Sequence, residues 1–90
     1  MEIVEKVTIV NRLGFHLRAA AEFVKTSSKY KCRVLVRKGY TDANGKSLLN
    51  LMALAAAYGD ELELVIEGED ATAARDSLKQ LVLNKFGERD

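Results

Sequence analysis

The ninety residues contain one histidine, His16, set in Leu13-Gly14-Phe15-His16-Leu17-Arg18-Ala19-Ala20-Ala21. A neutral imidazole is a competent nucleophile near physiological pH, because the side chain titrates near ~6.5. Arg18 stands two residues on, and its planar fork of donors suits phosphate oxygens. His16 falls between a Gly-containing turn and the first turn of a predicted helix, where backbone N–H groups have no intrahelical partner. Such groups usually receive a Ser, Thr, Asp or Asn cap, and the nearest here is Asn11, five residues earlier. An uncapped helix start is open to an external anion, which the helix dipole favours. Nucleophile, the backbone donors of Leu17 and Arg18, and a guanidinium thus converge on one point. Those are the parts of a phosphoryl-transfer site.

Other chemistries fit less well. A lone histidine at a loop–helix junction can be purely structural. A metal site would want a second histidine, and the lone Cys32 lies on a predicted strand with its side chain inward. No serine sits in the strained, Gly-flanked elbow of an esterase-type triad.

Ser47 is the second residue of interest. It precedes an apolar helical run, so N-capping alone would explain it. A phosphate there would also be tolerated by the dipole, adding about −1.5 to −2 charge beside whatever docks nearby. Lys46 is placed to pair with it. The run after Ser47 is apolar on nearly every side: Leu48, Leu49, Leu51, Met52, Leu54, Ala55, Ala56. A helix in a two-layer domain buries one stripe. With Leu51, Leu54 and Ala55 facing a sheet, Leu48, Leu49 and Met52 would point to solvent and join Leu17 as a docking surface.

The elements that must position these residues follow from periodicity. Ile3–Val10 reads as a strand, and Ala20, Phe23, Val24 and Ser27 mark a helix face. Cys32, Val34 and Val36 alternate with Arg33, Leu35 and Arg37, and Tyr40–Asn44 returns as a hairpin partner. Ser47 caps a helix from Leu48 to about Ala57, closed through Gly59. Leu62, Leu64 and Ile66 alternate with glutamates. Asp70 is expected to cap a last helix whose stripe runs Ala71, Ala74, Leu78, Leu81, Val82, Lys85. The order is β-α-β-β-α-β-α, an α+β fold with helices on one side of an antiparallel sheet. An open-faced sandwich and a ferredoxin-like split βαβ both fit this order.

Composition narrows the class. Ninety residues suit one domain, 1–90. Fourteen basic and thirteen acidic residues leave a net charge of +1, without the basic footprint of a nucleic-acid or polybasic membrane partner. No apolar run approaches the ~20 residues of a membrane span. The opening Met1-Glu2-Ile3-Val4-Glu5-Lys6 does not read as a signal peptide. One cysteine forms no internal disulfide and suits a reducing compartment. We therefore expect a cytoplasmic monomer, with no metal and no cofactor.

Gly14-Phe15-His16-Leu17-Arg18-Ala19-Ala20 resembles the active-site signature of the HPr-like family, the histidine-containing phosphocarriers of the bacterial phosphotransferase system. Lys46-Ser47-Leu48-Leu49-Asn50-Leu51-Met52-Ala53-Leu54-Ala55 resembles that family's second signature, around its regulatory serine. Two signatures at this separation, with the element order, extend the resemblance over essentially the whole chain. The resemblance implies a sheet of order 1-4-2-3 with three helices on one face, which would set Arg33 and Arg37 near Glu63 and Glu67. It implies that His16 accepts the phosphoryl group through Nδ1, that Arg18 steadies it, and that Ser47 is the site of a serine kinase/phosphorylase in some members. Implied partners are enzyme I, charged by phosphoenolpyruvate, and acceptor domains of the IIA type, for sugar uptake or regulation. Such a protein is a carrier, not an enzyme. Two alternatives differ in class: a regulatory HPr-like protein acting through Ser47 and protein contacts, and a ferredoxin-like small-ligand-binding domain. Ala19 stands where many members carry proline, and Phe15 and Leu17 replace smaller residues. The latter two are expected to affect partner choice.

Overall fold

The computed structural model describes residues 1–89. Four strands, β1 (Glu2–Thr8), β2 (Arg33–Lys38), β3 (Thr41–Asn44) and β4 (Glu61–Glu67), form one antiparallel sheet ordered β1-β4-β2-β3. Three helices, α1 (Leu17–Ser27), α2 (Leu48–Ala53) and α3 (Ala71–Leu83), cover one face, and a 3₁₀ turn follows at Lys85–Gly87. The strand order selects the open-faced sandwich over the split βαβ.

Alternation produces this layering. Val7 pairs with Leu62, Val34 with Ile66, and Val36 with both Leu64 and Ala43, so the buried face of the sheet is continuous across all strands. Against it lie Ala20 and Phe23 of α1, Leu51 of α2, and Ala71, Ala74, Leu78 and Val82 of α3, all fully buried. Burying each larger aliphatic or aromatic side chain is worth about 1.5–3 kcal/mol. On the open face Arg33 pairs with Glu67 and Arg37 with Glu63 in register, with nitrogen–oxygen distances of 4.0 and 3.8 Å. These exposed contacts test topology, since each contributes only about 0–1 kcal/mol.

Strand β1 runs Glu2–Thr8 rather than Ile3–Val10, and the end of α2, the role of Asp70 and the end of α3 also differ from the sequence expectation. Helix α2 stops at Ala53 rather than near Ala57, and Gly59 does not close it. Ala55 takes the left-handed position beyond the helix, at φ 54°, that glycine normally fills. Tertiary bonds override the helical pattern here: Ala55 O accepts from Lys38 Nζ at 2.9 Å, Ala56 O accepts from Phe15 N at 2.9 Å, and Asp60 Oδ2 accepts from Ala57 N at 2.8 Å. Ala55 is accordingly exposed, whereas Ala56 is buried.

Asp70 occupies the N-cap position of α3 without capping it through its side chain. Its carboxylate instead accepts the backbone N–H groups of Lys31 (2.8 Å) and Cys32 (3.0 Å), tying the start of β2 to the start of α3. The Lys31 bond chiefly holds the Asp70 carboxyl below its ordinary pKa. Lys85 lies outside the α3 stripe. It and Phe86 are left-handed, at φ 58° and 55°, which turns Phe86 inward to 4% exposure.

Candidate functional site

The loop from Asn11 to Phe15 sets His16 at the start of α1. Asn11 is fully buried, and its Nδ2 donates to Gly14 O at 2.9 Å. Gly14 adopts φ +67°, and a Cβ there would lie 2.6 Å from Ala56 O and 3.0 Å from Ala57 Cα. Only glycine fits a left-handed residue pressed this closely against backbone. Phe15 is buried edge-on against Phe23, ring centroids 5.4 Å apart, and against Phe86 at the same distance. It belongs to the core rather than the surface, whereas Leu17 is 58% exposed.

His16 is the N-cap residue of α1, with extended backbone and no side-chain cap bond. Its carbonyl accepts from Ala20 N at 2.9 Å, starting the helical ladder. The N–H groups of Leu17, Arg18 and Ala19 are those an α-helix leaves without an intrahelical partner. The expected uncapped helix start is present. Arg18 reaches into solvent with its side chain 64% exposed, while the His16 side chain is 30% exposed.

A third residue, which the sequence reading missed, completes the cluster. The 3₁₀ turn delivers Glu88 to the imidazole: Glu88 Oε2 meets His16 Nε2, and Glu88 Oε1 accepts from Asn11 Nδ2 at 3.0 Å. Arg18 Nη2 lies 3.9 Å from Glu88 Oε2. Burial pushes the Glu88 carboxyl up, but hydrogen bonds from His16 and Asn11, with the charges of His16 and Arg18, bring it net below its ordinary value. The carboxylate accepts only, so the imidazole nitrogen facing it carries the hydrogen, and in the neutral ring Nδ1 then keeps the free lone pair. The sequence signals near this contact were Phe86, an apolar residue just past a helical stripe, and the turn-forming Gly87. Nothing local linked Phe86 to Phe15.

Ser47 is the N-cap of α2, its Oγ accepting from Asn50 N at 3.3 Å. Its described hydrogen bonds run to Asn44, Asn50 and Leu51, and none reaches His16 or Arg18. Lys46 Nζ is engaged by Tyr30 O at 2.6 Å. Leu49 (77%) and Met52 (38%) are exposed as expected. Leu48 is half-buried against the core, because it lies three residues before the buried Leu51 and shares its helix face. The segment after α2 touches the histidine loop through Ala56, one residue past the end of the second signature.

Cys32 is buried, and burial, with the neighbouring Asp70 carboxylate, pushes its thiol pKa up. That is the reverse of what a reactive cysteine needs. Among the described residues, no group of three or more His, Cys, Asp or Glu side chains could hold a metal ion, and no helix is long and apolar enough to cross a membrane.

Comparison with known proteins agrees with this geometry. The family model described as "PTS HPr component phosphorylation site" matches residues 3–84. The phosphocarrier protein HPr of Treponema pallidum (strain Nichols) is 40% identical over 86 residues, covering 96% of this chain and 98% of that protein. That of Pseudomonas aeruginosa is 43% identical over 84 residues, covering 92% and 93%. The crystal structure of HPr-C-His from Thermoanaerobacter tengcongensis superposes with a TM-score of 0.94 at 35% identity, covering 98% of this chain and 99% of that one. The chain belongs to the HPr family of phosphotransferase-system phosphocarriers.

Proposed function

We propose that this domain accepts a phosphoryl group on His16 Nδ1 from phosphoenolpyruvate-charged enzyme I and passes it to an acceptor domain of the IIA type. The observation that carries the reading is the arrangement at the start of α1: an accessible imidazole at an uncapped helix N-terminus, with an exposed guanidinium two residues on. Nδ1 donates its lone pair to phosphorus as the bond between phosphorus and the donor's leaving atom breaks. The dianion then sits against the N–H groups of Leu17 and Arg18, and the Arg18 guanidinium swings onto its oxygens. Onward transfer reverses these movements on the acceptor. The domain is itself the modified species, so it is a carrier and not an enzyme.

Leu17, Leu49 and Met52, with the outer edge of Leu48, form the apolar contact surface around this point. Phosphorylation of Ser47 by a serine kinase would place a dianion on that surface and weaken docking. The carrier acts as a single-domain monomer in the cytoplasm, shuttling between its two partners. Incubation with enzyme I and labelled phosphoenolpyruvate tests the reading. Acid-labile label should appear on the wild type and be absent from His16→Ala of unchanged fold; label retained by His16→Ala would overturn the assignment.

A further inference from the structure

We propose that Glu88 is a positioning residue for the phosphoryl chemistry: it holds the His16 ring through Nε2–H, keeps Nδ1 as the nucleophilic nitrogen, and balances the charge the ring acquires when phosphorylated. This deepens the carrier reading and rests on it. Glu88 lies beyond residue 84, where the family match ends.

The carboxylate is built into the fold. Its side chain is 8% exposed, and a carboxylate so far withdrawn from water is costly unless its oxygens are paired. Both are: Oε1 accepts from Asn11 Nδ2 and Oε2 from His16 Nε2, with Arg18 Nη2 at 3.9 Å. Asn11 is held for this task. Its two neighbours, Gly14 O and Glu88 Oε1, can only accept, so the amide must turn Nδ2 toward them, and Asn11 Oδ1 is buried without a partner among the described residues.

The backbone points the same way. Lys85 and Phe86 are consecutive left-handed non-glycine residues, a rare arrangement that collects at functional sites. The turn they make seats Phe86 against Phe15, the residue immediately before His16. One aromatic contact therefore fixes both partners of the His16–Glu88 pair.

The chemistry needs such a partner. When the Nδ1 lone pair forms the N–P bond, Nε2 retains its proton and the ring becomes a phosphoimidazolium cation. When phosphorus moves on, the electrons of the N–P bond return to Nδ1 and the ring is neutral again, without loss of a proton. A carboxylate fixed on Nε2–H stabilises the cationic form on both legs. It faces the ring nitrogen opposite the phosphoryl group, so it does not compete for Arg18 and the α1 N-terminus.

Wild type, Glu88→Gln, Glu88→Ala and Glu88→Asp would be charged by enzyme I and phosphoenolpyruvate, and the forward rate and phosphohistidine lifetime followed. Glu88→Gln keeps the shape and an acceptor oxygen but loses the charge, and a thermal melt verifies its fold. Both neutral variants should still take label on His16 but transfer it about tenfold more slowly, equivalent to about 1.4 kcal/mol. Glu88→Asp should recover part of the rate. In ¹⁵N spectra the unmodified wild-type ring should carry hydrogen on Nε2 with Nδ1 bare, and Glu88→Ala should show both tautomers in exchange. Unchanged rates and nitrogen shifts in both neutral variants would overturn the role of Glu88 while leaving His16 as acceptor. A wild type that takes no label would overturn the carrier reading itself, and this inference with it.

Discussion

Gly14→Ala probes the geometry that brings the histidine loop against the segment after α2. A left-handed φ of +67° costs an L-residue roughly 1–2 kcal/mol. The new Cβ would meet Ala56 O at 2.6 Å and Ala57 Cα at 3.0 Å. Both are backbone atoms, so no rotamer change relieves the clash. Separating the segments stretches the Phe15 N–H to Ala56 O bond, now 2.9 Å, at a further cost of about 0.5–1.5 kcal/mol. Alanine returns about 0.4–1 kcal/mol by restricting the unfolded chain. The net expectation is a loss of about 1–3 kcal/mol. With a urea m-value at the low end for small proteins, about 1–1.5 kcal/mol/M, the midpoint should fall by roughly 0.7–3 M. Circular dichroism in a urea titration measures this directly. A midpoint within about 0.3 M of wild type would refute the argument that this contact is rigid.

Three further outcomes follow from named contacts. Ala55→Gly should raise stability by about 0.5–1 kcal/mol, because relief at φ 54° exceeds the added freedom of the unfolded chain; an unchanged or lower thermal midpoint would contradict this. Asp70→Asn should destabilise at neutral pH, and the gap from wild type should close on acidification. The Asp70 carboxyl is depressed in the folded state, so its contribution is present above the unfolded value of about 3.9 and lost as pH falls through the lower folded value. Urea midpoints at neutral pH and near pH 2.5 test this, and an equal gap at both would refute it. Ser47→Asp should leave α2 stable to within a few tenths of a kcal/mol, since both residues cap well. It should weaken partner binding about tenfold by titration calorimetry, about 1.4 kcal/mol; wild-type affinity for enzyme I and an acceptor would show that Leu49 and Met52 are not the interface.

Alternation and helical spacing were sufficient to read the sheet and the three helices, because the buried face of each element has its own period. Leu62, Leu64 and Ile66 show this most plainly. The Arg33–Glu67 and Arg37–Glu63 registers were legible once a strand order was assumed. Boundaries set by distant partners were not. The end of α2 is decided by Lys38 and Phe15 reaching the carbonyls of Ala55 and Ala56 just beyond it, and the role of Asp70 by the backbone that leads into β2. Of the site, His16, Arg18 and the capping of Ser47 were local features and could be read as such. Glu88 was hidden because its meeting with His16 closes a loop of 72 residues; Gly87 marks a turn, but nothing local shows that Lys85 and Phe86 before it are left-handed too.

The central claim is that one nitrogen of one histidine carries the phosphoryl group. Wild-type protein labelled with ¹⁵N on histidine and charged by enzyme I with phosphoenolpyruvate permits a single NMR measurement of phosphorus–nitrogen coupling. The account predicts coupling to Nδ1 of His16, with Nε2 still protonated against Glu88. Coupling to Nε2, or a charged protein whose His16 nitrogens show no coupling to phosphorus, would contradict it.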